Sequence, residues 1–432
     1  MNEDENKGIV FQIGYELPSQ QRVSMQIANL RLHAWGVFSN VYRGTLVSPG
    51  TEQEIAIKKT WPKTPERNFE LLFLSGIKRK PHKNIVQMLF AFSRTTVSGQ
   101  GIEMTKAFCE SYVFAFMPFT LQNILKKQRL ADVEVKLYTW QLFEGIRYLQ
   151  THLIVHRDIK PVNLLIDVDK GTLKIADFGS AKIVQRGSHS TSYQVTRFYR
   201  PPELLLESKD YYWMVDVWSA GCVVGEMMKG KILFPGASRD MMLKLIAQAI
   251  GLPSPRDHDY MKVAKMIDPV SDVKVIGFKE VLGNVSQEWA DFVGEILRYR
   301  PRERLHGPKL LAHPFFEQIF TPKCTLSNGL LVSQVITSED YKNAQKNDCT
   351  AGKQYAAAVL RNEVKFTLKD ALPNPTPPPT TTSKENKDSK EPKESKEVVK
   401  ESKDPKLPSA CASNTNITSP TAVMSLKRTL NA

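Results

Sequence analysis

His156-Arg157-Asp158-Ile159-Lys160-Pro161-Val162-Asn163 places four chemically complementary side chains within eight positions, and the rest of the chain is best read outward from it. In a loop of the form H-R-D-x-x-x-x-N that moves a phosphoryl group, the Asp accepts the proton of the attacking hydroxyl and orients its oxygen, while the Asn lends an oxygen to a divalent cation. Asp158 and Asn163 occupy those positions, and Lys160 stands where its charge would neutralise the moving group. A Lys at 160, rather than Ala or Arg, points to serine or threonine hydroxyls as acceptors. A lone H-R-D would read as an ordinary polar turn; the complete loop does not.

Fourteen residues past Asn163, beyond a hairpin expected from Asn163–Ile166 and Thr172–Ile175, Asp177-Phe178-Gly179 supplies a carboxylate for the magnesium that bridges the β- and γ-phosphates of ATP. Upstream, Ala56-Ile57-Lys58 reads as a strand whose Lys reaches the α- and β-phosphates. A carboxylate on the following helix should hold that Lys; Glu70 is the expected residue, with Glu66 a rival if the helix register slips. Ala34-Trp35-Gly36-Val37-Phe38-Ser39-Asn40-Val41 lies where a phosphate-covering loop would be, although Gly36 is the one loop glycine it keeps. Such loops use Gly because backbone amides must approach phosphate oxygens closely. Ala34, Gly36, Val41, Ala56 and Leu165 are thus candidates to line a nucleotide site, together with Lys58 and Asp177, and Asn163 and Asp177 are the candidate metal ligands. Further on, Glu203 should pair with Arg304 in a buried structural bridge, and Asp216 should brace the backbone of the 156–163 loop.

These residues follow an ordered series, Lys58, Glu70, Asp158, Asn163, Asp177, that sits across two differently patterned regions. Residues 1–27 read as a polar arm with structure beginning near Ile27; strands are expected at 54–59, 85–92 and 112–117, with a helix at 65–77. From Asp132 apolar residues recur at three- and four-residue steps, and helices are expected at 215–229, 239–250 and 287–297. After about Asp370 the composition turns to Pro, Thr, Ser, Lys and Glu with no aromatic residue, a tail that cannot bury a core. The expected division is an arm (1–27), a strand-rich lobe (28–117), a helical lobe (118–320), an extension (321–369) and a disordered tail (370–432).

Composition narrows the setting. No apolar run is long enough to cross a bilayer. Met1–Lys7 is acidic and polar where a signal peptide would be basic then apolar, so the expected compartment is cytosol or nucleus. The five cysteines are widely spaced and without ligand-like pairs, which reads as reduced thiols. The net charge of +14 is as compatible with solvated Lys and Arg as with an acidic partner, and no nucleic-acid-binding motif accompanies it.

Asp177-Phe178-Gly179-Ser180-Ala181-Lys182, Ser192-Tyr193-Gln194-Val195-Thr196-Arg197-Phe198-Tyr199-Arg200, Phe234-Pro235-Gly236 and His313-Pro314-Phe315-Phe316 together resemble the glycogen synthase kinase 3 family over roughly residues 28–335. The resemblance implies an α+β bilobal protein kinase fold and a monomeric serine/threonine kinase that uses ATP and Mg2+. It implies that Tyr193 is an autophosphorylated activation-loop tyrosine, and that backbone groups of Ala115 and Met117, beside a gatekeeper Phe114, contact adenine. It also implies protein substrates and scaffold proteins docking on the helical lobe, although residues 252–285 diverge there. The family holds a priming phosphate on three basic side chains; Arg157 and Lys182 match two of them, and Phe69 stands where the third, an Arg, belongs. That departure predicts weaker dependence on primed substrates. A catalytically silent scaffold, suggested by the depleted glycine loop and the long tail, is the competing reading from another class. Another proline-directed kinase is the nearer one.

Overall fold

The computed structural model describes residues 8–36, 39–61, 69–98, 105–184, 196–263, 273–283 and 285–344. Tyr193, Glu66 and the 370–432 tail lie outside them, as does the side chain of Phe69.

Alternating sequence builds the first lobe. Strands β1 (Val10–Glu16), β2 (Arg22–Trp35), β3 (Ser39–Ser48) and β4 (Gln53–Thr60) precede helix α1 (Phe69–Arg79), which is followed by β5 (Met88–Ser98) and β6 (Thr105–Ala115). The strands pair antiparallel in the order β1-β2-β3-β4-β6-β5, and the end of β1 also meets β5 at Tyr15↔Ala91 and Glu16↔Phe90. Met25, Ile27, Leu46, Ile55, Ile57 and Val113 bury one face of this sheet. With a period of two, Ala56 and Lys58 of β4 must point to the opposite face. Register then sets Val41 beside Lys58 and Phe114 beside Ala56.

Several boundaries differ from the sequence reading. The fold begins at Val10 rather than near Ile27, because β1 and the first part of β2 lie in the stretch read as an arm. Most of β1 is exposed or half-exposed, so it lacks the alternation that marks a strand. Strand β5 starts at Met88; Ile85 instead makes an isolated parallel bridge with Ile175. Helix α1 runs to Arg79, and the earlier part of its expected span lies outside the described residues.

The second lobe is helical. Strand β7 (Phe119–Thr120) leads into α2 (Leu121–Lys127), where the Asn123 N–H donates to Thr120 Oγ1 at 3.1 Å and Asn123 Oδ1 accepts from the Thr120 N–H at 3.0 Å. Helix α3 (Asp132–Thr151) buries Leu137, Trp140, Phe143 and Leu149. Short strands β8 (Ile154–Val155), β9 (Leu164–Asp167), β10 (Thr172–Ile175) and β11 (Lys182–Ile183) carry the catalytic segments: β9 and β10 form the expected hairpin, and β11 pairs with β8. Then come α4 (Pro202–Leu205), α5 (Met214–Lys229), α6 (Arg239–Ile250), α7 (Pro255–Met261), α8 (Gly277–Val281), α9 (Gln287–Ile296), α10 (Gly307–Leu311) and α11 (Ser338–Ala344). Helix α5 is the central one, buried from Met214 to Met228. A Cβ on its Gly221 would sit 2.7 Å from Ile296, so the glycine permits the close approach of α9. The core continues past residue 320, taking in Leu326, Val332, Ile336 and Ala344.

Candidate active site

Strand β4 aims Lys58 into the cleft, where its Nζ lies 2.8 Å from Glu70 Oε1 on α1 and 2.8 Å from Asp177 Oδ1. The register question about Glu70 is thereby answered in the geometry. Burial alone would lower the Lys58 pKa, but the two carboxylates outweigh it and hold the ammonium well above its ordinary value. Partial desolvation pulls Asp177 upward, yet the adjacent Lys58 leaves its carboxyl below the usual range. Asp177 takes the left-handed conformation at φ 63° and accepts from the Gly179 N–H at 3.5 Å.

Across the cleft, Asp158 is held at both oxygens. Thr196 Oγ1 donates to Oδ1 at 2.8 Å, and Asn163 Nδ2 donates to Oδ2 at 2.9 Å and to the Asp158 carbonyl at 2.8 Å. Lys160 Nζ lies 2.8 Å from Asp158 Oδ2 and 3.1 Å from Thr196 Oγ1. An ionised carboxylate offers about four lone-pair directions, so these bonds orient Asp158 and leave it able to accept one more. Because Asn163 spends its amide nitrogen on Asp158, its carbonyl oxygen is the atom that can face a cation.

The loop's backbone rests on Asp216, whose Oδ2 accepts from the His156 N–H at 2.7 Å and whose Oδ1 accepts from the Arg157 N–H at 2.8 Å. Burial raises the Asp216 carboxyl, and the two N–H groups and neighbouring His156 and Arg157 oppose the rise without cancelling it. This grip accounts for Arg157 being held at φ 63°, a conformation costly for any side chain but glycine. Arg304 grips Glu203 with two bonds, Nη1 to Oε1 at 2.8 Å and Nη2 to Oε2 at 2.6 Å, with both side chains almost fully buried.

The candidate nucleotide-lining positions differ in exposure. Ala56, Val41 and Leu165 are half-buried, while Ala34 near the end of β2 and Gly36 on the turn to β3 are exposed, and the Gly36 N–H closes that turn onto the Ser39 carbonyl at 2.8 Å. Ala115 ends β6 and Met117 lies two residues past it, and the Phe116 N–H between them donates to the Glu54 carbonyl at 3.0 Å. Arg157 Nε donates to the Ser180 carbonyl at 2.7 Å, and Lys182 sits opposite Val155 in the adjoining strand pair.

Two features escaped the sequence reading. Thr196 lay inside the quoted activation segment without a role, and its only signal was its place four residues before Arg200. Arg43 stacks 4.1 Å above the Phe116 ring and bonds Glu54, stiffening the link between the lobes.

The protein kinase domain family matches residues 35–316. Glycogen synthase kinase 1 of Pyricularia oryzae is 34% identical over 311 residues, covering 71% of this chain and 76% of that protein. Protein kinase gsk3 of Schizosaccharomyces pombe is 34% identical over 285 residues, 65% of this chain and 71% of its own length. Protein kinase gsk31 of the same yeast is 32% identical over 295 residues, 67% and 74% of the two chains. The chain belongs to the protein kinases, in the glycogen synthase kinase 3 family. It is a serine/threonine kinase of bilobal α+β fold that uses ATP.

Proposed function

We propose that this kinase transfers the γ-phosphoryl group of ATP directly to serine or threonine hydroxyls of proteins, with Asp158 as base and with reduced need for a priming phosphate. The observation that carries the mechanism is the pair of bonded sets in the cleft: Lys58 joined to Glu70 and Asp177 in one, Asp158 joined to Asn163, Lys160 and Thr196 in the other. Lys58, oriented by Glu70, binds the α- and β-phosphates. Asp158 accepts the proton of the substrate hydroxyl as that oxygen bonds to the γ-phosphorus and the bond to ADP breaks, and Lys160 offsets charge on the transferred group.

Magnesium suits this donor set, since it is held by one or two protein oxygens together with phosphate oxygens and water, and Asn163 and Asp177 present an amide and a carboxylate oxygen. Bound there, it would neutralise phosphate charge. Arg157 gives one N–H to the Ser180 carbonyl, and with Phe69 in place of a third cation the priming pocket has lost a strong donor. The exposed Ala34 in the loop predicts a raised KM for ATP relative to a glycine-rich loop. The proposal includes Tyr193 as an activation-loop phosphorylation site, action as a monomer in cytosol or nucleus, and scaffold partners on the helical lobe.

The test is transfer of labelled γ-phosphate to matched primed and unprimed serine peptides. Asp158→Asn should lower kcat by about two to four orders of magnitude, and Phe69→Arg should raise the preference for the primed peptide. A wild type that already phosphorylates the primed peptide far faster than its twin would refute reduced priming. Folded, Tyr193-phosphorylated protein with no transfer at all would refute the catalytic roles.

A further inference from the structure

We propose that the helical lobe carries a second binding surface, away from the cleft, that docks a carboxylate-rich segment of a partner protein. A cavity of about 1000 Å³ opens between the last turn of α3, the residue preceding α5 and the turn from the end of α9 to α10. Arg298, Arg302 and Lys309 stand exposed along it, and among the described residues none of their side chains has a hydrogen-bond or ion-pair partner. The cavity's other arginines are already neutralised: Arg147 by Glu144 and Arg304 by Glu203.

Two acids share the lining, against three cations without a partner among the described residues. Glu303 is bonded by Arg300 at 3.0 Å, and Glu295 lies 3.9 Å from His313. The uncommitted charge of the cavity is therefore positive. Its apolar part is Leu153, Leu305 and the half-buried Trp213, whose ring meets His306 edge-on at 4.9 Å. An aromatic wall beside uncommitted arginines is the composition of protein-recognition sites.

Size and charge pattern select the occupant. A single phosphate is far smaller than this cavity, and the free cations stand exposed along it rather than buried around one point. A nucleic-acid backbone would bring a continuous row of phosphates past Glu295 and Glu303, which repel it. A peptide can set its carboxylates against Arg298, Arg302 and Lys309 and pass the two glutamates with apolar residues on Trp213. Since none of these lining residues takes part in the cleft chemistry, docking would tether a partner without altering phosphoryl transfer itself.

The experiment uses the full chain with its cleft saturated by a non-hydrolysable ATP analogue. A fluorescein-labelled, glutamate-rich peptide without Ser, Thr or Tyr is titrated by fluorescence anisotropy. We expect binding that weakens with salt, about tenfold or greater loss in Arg298→Glu with Arg302→Glu, and unchanged phosphorylation of a short serine peptide by that variant. Arg298→Gln with Arg302→Gln should give an intermediate loss, which guards against misfolding of the charge reversal. Exposed Lys279, outside the cavity, provides the control: equal loss in Lys279→Glu would mean net charge alone is read and would overturn the site. Wild-type binding that survives the double reversal would overturn it too, as would tight binding of inositol hexakisphosphate or single-stranded DNA with none of the peptide.

Discussion

At Asp158 the side chain is useful only if it is aimed, and three neighbours share that task. Lys160 and Asn163 are close in sequence, but Thr196 reaches it from 38 residues away. Its hydroxyl donates to Asp158 and accepts from Lys160, so it fixes the carboxylate and the cation relative to one another. Thr196→Val removes that link while keeping the shape of the side chain. A hydrogen bond to a charged group contributes about 1.5–3 kcal/mol, so kcat should fall by about ten- to a hundredfold with little change in the KM for ATP. Steady-state kinetics at varied ATP and peptide would check the split; an equal rise in both KM values with kcat intact would assign Thr196 to substrate binding instead.

The element scale is set by how α3 holds the turn that follows α1. Arg147 grips Glu144 at 2.9 and 2.8 Å, His82 of the turn approaches the same carboxylate at 3.4 Å, and Tyr148 donates to the Lys80 carbonyl at 2.6 Å. Asn84 adds bonds to Gln141 and to the Leu173 carbonyl. Burial alone would raise the Glu144 pKa, but Arg147 and His82 bring it down to about 2 from 4.5. A carboxyl depressed in the folded state stabilises the protein above its unfolded pKa and loses that contribution as pH falls through the folded one. The window is thus pH 4.5 to about 2, and the contribution is about 3 kcal/mol. Urea unfolding of wild type and Glu144→Gln should differ most near neutrality and converge across that window. A constant gap would show that the pair is not what titrates.

For the molecule as a whole, the strand ahead of the kinase match matters to the lobe that binds ATP. Strand β1 pairs with β2 from Val10↔Ile27 to Tyr15↔Arg22, and Leu17 beyond it is 3% exposed, with its N–H on the Leu89 carbonyl at 3.1 Å. Burying a leucine contributes about 1.5–3 kcal/mol. Deleting residues 1–21 should therefore lower stability by about 2 kcal/mol or more, read as a lower Tm and faster amide exchange in β2 and β5. Unchanged exchange in both strands would show that β1 is an ornament of the sheet.

The order Lys58, Asp158, Asn163, Asp177 was legible in the chain because phosphoryl transfer needs those residue types in short contiguous segments at fixed spacing. The two-lobe architecture was legible for a similar reason: apolar periods of two and of three to four residues are local signals. Choosing Glu70 over Glu66 needed the register of α1 against β4, which no local pattern encodes. Strand β1 was hidden because a largely exposed strand shows no alternation. The Thr196 bond to Asp158 and the gathering of Arg298, Arg302 and Lys309 around one cavity join parts of the chain that local patterning treats separately. Such contacts depend on how whole elements pack, and only the tertiary structure decides them.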